Sequence, residues 1–284
     1  MKGISNINIP KQESFLSIFS TWKSIVQNVS NYKNLIRELV LVSLISQYKK
    51  SFLSITWIFV YPLLNITIWL LLNQAGLFEP GDTTIPYPIF LLLNITFWNL
   101  FLGFYEHISK SISSSGKMFF QVKFPYEIII VEKSLVNIFN FLVSFALVLI
   151  VFFIYGIPIR LEALFLPIVL IPLMLFGVSV GMILNMIEVV SIDLYTFLDK
   201  IIRFGIYLTP IVYTTDIKVS FLNVIISYNP LTYFISSARD IIIKGELYEP
   251  LIFIWHSIIV LLFFLFIVQF FLVSVNKLIE KILE

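Results

Sequence analysis

Long stretches without a charged residue set the pattern of this chain. They lie between Lys50 and Glu79, between Asp82 and Glu106, from Ser134 to Ile159, from Ala163 to Ile187 and from Pro250 to Asn276. About 20 apolar residues carry a helix across the hydrocarbon core of a bilayer, so each run is long enough to span with some tilt. A further run, Leu194–Thr215, is mostly apolar but carries Asp199, Lys200 and Arg203 near its start. It reads as another span, fifth in chain order, with its charged end toward the cytosol. The pattern predicts an all-α integral membrane protein with six transmembrane helices at about 52–74, 87–108, 128–155, 163–187, 194–215 and 250–275.

Two segments do not fit the simple span. Val219–Ala238 is uncharged, with Asn229-Pro230 at its centre. Proline removes a backbone donor and pushes the preceding residue out of the helical region. Each half would be roughly 15 Å long as a helix. This favours two short re-entrant helices over 217–243, between the fifth and sixth spans; a proline-kinked span is the alternative. Broken backbone at membrane depth needs protein or water to cover it. Near the N-terminus, Phe15, Ile18, Phe19, Trp22, Ile25, Val26 and Val29 recur at three- and four-residue steps, with Ser17, Thr21, Lys23, Ser24 and Asn28 between them. That is an amphipathic helix lying in the membrane interface, or else one packed on protein.

Composition agrees with this architecture. The chain is 59% hydrophobic and 13% charged, against about 25% charged residues in soluble domains. The net charge of +2 gives no argument for nucleic acid, and placement of the cations is more informative. Lys2, Lys11, Lys23, Lys33, Arg37, Lys49 and Lys50 precede the first span, and Lys110, Lys117, Lys123 and Lys133 follow the second. Lys200, Arg203, Lys277 and Lys281 fall on the same side, and only Arg160, Lys218, Arg239 and Lys244 on the other. The positive-inside rule then puts both termini in the cytosol. The domain reading is a cytosolic N-terminus with the interface helix over 1–36, a membrane domain over 37–276 and a cytosolic tail over 277–284. Residues 1–14 are polar and do not read as a signal peptide.

Much chemistry is excluded. There is no cysteine, so no disulfide or thiolate chemistry. No G-x-x-x-x-G-K-[ST] run occurs; Gly116-Lys117 has Ser111 and Met118 where glycine and a hydroxyl belong. The chain is therefore not expected to be an enzyme or to hold a cofactor, and any ATP and Mg²⁺ would be bound by another subunit. His107 and His256 are the only histidines and have no metal-ligand spacing. Asn65 and Asn94 head Asn-x-Thr sequons that lie inside spans.

What chemistry is left concerns binding within the membrane. Asp199 and Arg203 are four apart and can pair on one helix face; either the pair neutralises itself, or Lys200 and Arg203 line a wet vestibule and meet anionic substrate groups. Aromatics make up 17% of the chain, and many are mid-span, notably Trp57, Tyr61, Trp69, Phe97, Trp98, Phe101, Phe104 and Tyr105. Interface belts account for those near helix ends. Aromatic faces also pack on the apolar faces of sugar rings, so a channel lined by Trp57, Tyr61, Phe97, Trp98, Phe101 and Tyr105 could let a glycan slide. Lipid-facing or core packing is the competing account.

A series of short motifs runs in order along the chain. Arg37-Glu38 leads to Gln47-Tyr48-Lys49-Lys50-Ser51, then Trp57 and Pro62. Lys123-Phe124-Pro125, Leu166-Pro167, Asp193, Thr209-Pro210-Ile211-Val212-Tyr213, Asn229-Pro230-Leu231 and Arg239 follow. In this series the chain resembles the membrane subunits of type-2 ABC exporters of bacterial surface polysaccharides, which move O-antigen, capsular polysaccharide and teichoic acid. It departs where the family has a basic run and this chain has Ile187 to Asp193, and at Asp199 and Lys200, where the family is mostly apolar.

The resemblance implies a homodimeric permease in the bacterial inner membrane that exports a lipid-linked polysaccharide, O-antigen before teichoic acid or capsule, with two cytosolic ATP-binding subunits beneath. It also implies a gate at Pro210, Tyr213, Asn229, Pro230 and Arg239, and an ATPase-coupling loop, Ser111–Glu127, with Lys117, Met118, Phe119, Phe120, Lys123, Phe124 and Pro125. Exposed apolar residues between lysines fit such a contact. A lipid or small-molecule exporter of the same fold is the alternative within this class. A membrane-embedded transferase would need a catalytic histidine or paired acids, and a secondary transporter would need intramembrane carboxylates; the sequence offers little of either.

Overall fold

The computed structural model describes residues 18–49, 60, 64, 67–114, 125–215 and 220–283. The helices are α1 (Ile18–Asn31), α2 (Lys33–Lys49), α3 (Tyr87–Ser109), α4 (Glu127–Ile154), α5 (Leu166–Val169), α6 (Ile171–Val190), α7 (Ile192–Phe204), α8 (Ser220–Tyr228), α9 (Pro230–Ile243) and α10 (Pro250–Leu283). A helical stretch over 67–74 precedes α3, and 3₁₀ turns cover Leu161–Phe165 and Gly205–Leu208. No strand occurs among the described residues. Among the described residues, four helices are long and apolar enough to cross a membrane: Tyr87–Ser109, Glu127–Ile154, Leu161–Val190 and Pro250–Val275. An isolated backbone polar group in hydrocarbon costs several kcal/mol, which is why such segments close their hydrogen bonds internally.

α3 is the central helix. It packs against α4, α6 and α9 and is the most buried of the four. Pro86 caps its start in an extended conformation and Pro88 sits in its first turn, where a missing N–H costs nothing. The seam with α6 depends on Gly177 and Gly181. A Cβ at Gly177 would lie 2.8 Å from the Phe104 Cβ, and one at Gly181 would lie 2.8 Å from the Ile108 Cβ. Small residues four apart allow this backbone approach. Buried amides then cross-link the bundle: Asn137 Nδ2 donates to Leu100 O at 3.0 Å, tying α4 to α3, and Asn185 Nδ2 donates to Ile108 O at 2.8 Å and Ser109 O at 3.1 Å, satisfying carbonyls at the end of α3.

The predicted interface helix is α1, of which residues 15–17 lie outside the described residues. Its Trp22 ring stands 5.9 Å from Phe264 on α10, Ile25 also packs on the core, and Val26 stays exposed. Part of its apolar face is thus spent on protein. The run predicted to span over 194–215 is α-helical only to Phe204, tightens to 3₁₀ through Leu208 and stops before Pro210. The uncharged run around Asn229 divides into α8 and α9. Asn229 takes φ −79 and ψ 115, out of the helical region as a residue before proline must be. α9 is buried from Leu231 through Ile242, so protein covers this half of the broken stretch, whereas Val224 and Tyr228 of α8 are exposed.

Candidate functional site

A groove of about 310 Å³ opens between the 67–74 stretch, α3 and the end of α7. Trp69, Trp98 and Tyr207 give it aromatic surface, and Asn99 and Arg203 give it polar groups. The Trp69 ring lies 6.0 Å from Tyr207 and 5.4 Å from Phe78. Tyr207 in turn lies 5.2 Å from Phe204. Clefts of this size that combine apolar walls with a few polar groups are the usual form of a small-molecule site.

Arg203 is held on two sides. Its Nε donates to Asp199 Oδ2 at 3.0 Å, and its Nη2 lies 2.5 Å from Glu106 Oε1 on α3. The other oxygen of Asp199 accepts from the Tyr105 hydroxyl at 3.0 Å. The Asp199–Arg203 pairing read from the four-residue spacing is present, and Glu106 joins it from α3. One cation meets two carboxylates, so this guanidinium has little charge left for an anion. Arg203 is 45% exposed and Glu106 36%. Charges with that much exposure are not stable against hydrocarbon, so this face needs water or protein over it.

Most of the predicted aromatic stripe lies elsewhere. Phe97 packs 6.2 Å from both Phe141 and Phe145 on α4. Phe101 stacks on Phe176 of α6 at 5.7 Å. Phe97, Phe101 and Tyr105 are buried within the protomer, packed on neighbouring helices and not on the groove. The reason is that α3 is surrounded, and an apolar helix that is covered on most sides shows no periodicity that marks one face as a wall. Trp98 is buried as well but borders the groove. Trp57 and Tyr61 lie outside the described residues.

The predicted gate residues are brought together in part. Asn229 caps α9 by accepting from Leu231 N at 3.0 Å, with Pro230 in the first turn. Its amide donates to Leu208 O at 3.0 Å and Thr209 Oγ1 at 2.9 Å, which joins it to the turn that carries Pro210. Tyr213 closes the same turn by donating to Tyr207 O at 2.8 Å. From α3, Tyr87 donates to Val212 O at 2.9 Å and Asn94 to Ile211 O at 3.0 Å. Arg239 is buried on α9, with Nε 2.7 Å from Asp240 Oδ1 and its guanidinium 5.1 Å from the Phe90 ring centroid, and it lines a small cavity with Thr214 and Thr215. Lys244 Nζ holds the other Asp240 oxygen at 2.8 Å.

Of the predicted coupling residues, Lys117, Met118, Phe119, Phe120, Lys123 and Phe124 lie outside the described residues. The two ends of the loop are described, and both are anchored. Ser111 Oγ meets the Tyr126 hydroxyl in a short hydrogen bond and accepts from Asn185 Nδ2 at 3.1 Å. Burial holds the Tyr126 phenol above its ordinary range, so it stays protonated and able to donate. Pro125 directly precedes this tyrosine. Among the described residues no cluster of His, Cys, Asp or Glu could hold a metal ion.

Comparison with known proteins now bears on these features. An O-antigen export system permease protein RfbA of Klebsiella pneumoniae is 26% identical over 218 residues, 76% of this chain and 83% of the relative. These relatives bear out the resemblance to polysaccharide-exporter permeases. One from Myxococcus xanthus with the same description is 25% identical over 232 residues, 80% of this chain and 88% of the relative. A second Klebsiella pneumoniae permease is 26% identical over 203 residues, 71% of this chain and 77% of the relative. No family model matches the chain. The similarity to these permeases extends over most of both chains and is not confined to one motif.

Proposed function

We propose that this chain is the channel-forming permease subunit of an ATP-driven exporter that moves a lipid-linked polysaccharide, of the O-antigen class, across the bacterial inner membrane. Teichoic acid, capsule or another lipid-linked cargo is the alternative within the same mechanism. The observation that carries the reading is the groove of Trp69, Asn99, Arg203 and Tyr207, an aromatic-walled cleft that reaches the ion-paired, charged end of these helices. A water-filled passage between two copies of the chain would cover that face. In this role the aromatic rings hold sugar faces weakly, Asn99 reaches hydroxyl groups, and the neutralised Arg203 adds polarity without a strong anion trap.

The six-span topology belongs to this proposal. α7 contributes about 20 Å at the α-helical rise, and the 3₁₀ turn that follows adds about 8 Å. Together they come close to the roughly 30 Å of hydrocarbon. α8 and α9 then serve as the re-entrant pair, and the Asn229–Thr209 turn forms the gate above the passage. ATP is hydrolysed by two partner subunits docked on the cytosolic side, with the Ser111–Glu127 loop as the coupling segment. Both termini are cytosolic.

A strain lacking this chain tests the reading. It should accumulate its lipid-linked glycan on the cytosolic leaflet, and the wild-type chain should restore the surface polymer when its ATPase is present. If the surface glycan is unaltered by the deletion, the exporter reading fails.

A further inference from the structure

A second groove lies away from the Trp69 face, between α2 and α4. It encloses about 560 Å³ and is almost wholly apolar. The two helices run side by side in the same direction. Ile36 packs with Ile128 and Ile129 near their starts, and Asn140 Nδ2 donates to Gln47 Oε1 at 3.4 Å farther along. Leu41 of α2 and Leu135, Phe139 and Leu142 of α4 line the groove and are exposed.

The polar groups of the groove are confined to one end. Lys33 and Arg37, one turn apart on α2, are its charged lining residues, and they sit beside the start of α4. Among the described residues neither has an ion-pair partner. Glu38 follows Arg37 directly, and adjacent helix positions do not share a face. Glu127 is taken by the Asn28 amide at 2.8 Å, and Glu132 is buried beside Lys133 at 3.2 Å. The length also fits a membrane component. From Val131 to Leu142 the α4 wall runs about 16 Å at about 1.5 Å per residue. That is half of a hydrocarbon core of about 30 Å, one leaflet deep.

We propose that this groove is a binding site for an anionic phospholipid, with its phosphate on Lys33 and Arg37 and one acyl chain laid against Leu41, Leu135, Phe139 and Leu142. The charge complementarity selects the headgroup and the leaflet-deep apolar wall selects the tail. A bound lipid of this kind would fasten α2 to α4 next to the segment that leads into the first predicted span. The inference does not depend on what the protein transports.

The experiment uses the full chain in nanodiscs of phosphatidylcholine with or without phosphatidylglycerol. Native mass spectrometry counts the lipids that stay bound. The wild-type chain should retain phosphatidylglycerol in preference to phosphatidylcholine. The Lys33→Gln/Arg37→Gln variant should lose that preference by about thirtyfold, taking each basic residue at its ordinary worth against an anionic lipid surface. Both side chains are exposed, so the fold should survive, and circular dichroism checks it. Leu135→Trp leaves the charges in place and fills the tail site, and it should also release the lipid. Equal retention of the two lipids by the wild-type chain overturns the proposal. So does loss only in the charge variant, which would indicate surface attraction alone. Displacement of the bound lipid by stoichiometric polyprenyl phosphate overturns it as well, since the groove would then belong to a glycan carrier.

Discussion

The Asn229 side-chain Nδ2 donates to the Thr209 hydroxyl at 2.9 Å, while the Asn229 side-chain Oδ1 accepts the Leu231 N–H at 3.0 Å. One side chain thus caps α9 and ties it to the turn that ends the α7 segment. Removing a cap costs about 1 kcal/mol, and a polar contact between membrane helices averages about 0.6 kcal/mol. Asn229→Ala should therefore destabilise the purified chain by roughly 1–2 kcal/mol in thermal unfolding. Thr209→Val should cost less, and the double variant less than the sum, because the two changes remove one shared bond. Additive losses would mean that the pair is not coupled.

The α3–α6 seam gives a second prediction. Gly181→Leu places its first carbon where the Ile108 Cβ already stands 2.8 Å away. Backbone on both sides resists the shift, and overpacking costs about 1–3 kcal/mol. The variant should unfold at lower temperature and expose its core to protease, with Gly177→Leu behaving alike through Phe104. A variant as stable as wild type would show that the two helices can separate without loss.

Several of these features can be read from the sequence and others cannot, for identifiable reasons. The uncharged runs locate α3, α4, α6 and α10 because burying charge in hydrocarbon is costly wherever the chain turns. The break before Pro230 is legible because proline acts on its own neighbour. Asp199 and Arg203 are legible as a pair because helical spacing is local. Glu106 as a second partner of Arg203 is not, because that contact joins residues 97 positions apart in sequence. Nor was the burial of Phe97 and Phe101 legible, since an apolar helix looks alike whether lipid, lumen or protein surrounds it. Gly177 and Gly181 carry a readable signal, two glycines four apart in an apolar run.

Topology can be tested without altering native thiols, since the chain has no cysteine. With a re-entrant α8–α9 pair, cysteines replacing Lys218 and Glu246 label from the same side with a membrane-impermeant thiol reagent. That side should be the outer one. Labelling from opposite sides would make this region a span and remove the six-span reading.

The Arg203 arrangement predicts an asymmetry between two substitutions. Arg203→Gln leaves Glu106 and Asp199 facing each other without their shared cation. Glu106→Gln leaves Arg203 still paired with Asp199 at 3.0 Å. Breaking a charge cluster by removing one member can cost about 3–5 kcal/mol when it is buried; partial exposure of Arg203 and Glu106 reduces this. Export by the Arg203 variant should fall at least tenfold, and export by the Glu106 variant only a few-fold, measured as surface glycan at matched protein level. Equal effects would place the function of the cluster in Glu106 and not in its balance of charge.

The loop Ser111–Glu127, proposed as the coupling segment, yields the last prediction. Its described ends are fixed on one side by Ser111, which bonds Tyr126 and Asn185, and on the other by Pro125, whose ring restricts the backbone before α4. A push on a loop anchored in this way passes into α3, α4 and α6 together, whereas a loop on loose ends would absorb it. Two changes separate contact from transmission. Phe119→Ser with Phe120→Ser removes the apolar residues that sequence assigns to the ATPase contact, so the ATPase should no longer co-purify. Asn185→Ala leaves those residues alone and frees the anchor at Ser111. The ATPase should then still bind and hydrolyse ATP, while export per ATP falls severalfold. If the phenylalanine variant keeps its ATPase and exports at the wild-type ratio, the loop is a membrane anchor. If the asparagine variant exports at the wild-type ratio, force does not travel through the Ser111–Tyr126–Asn185 junction.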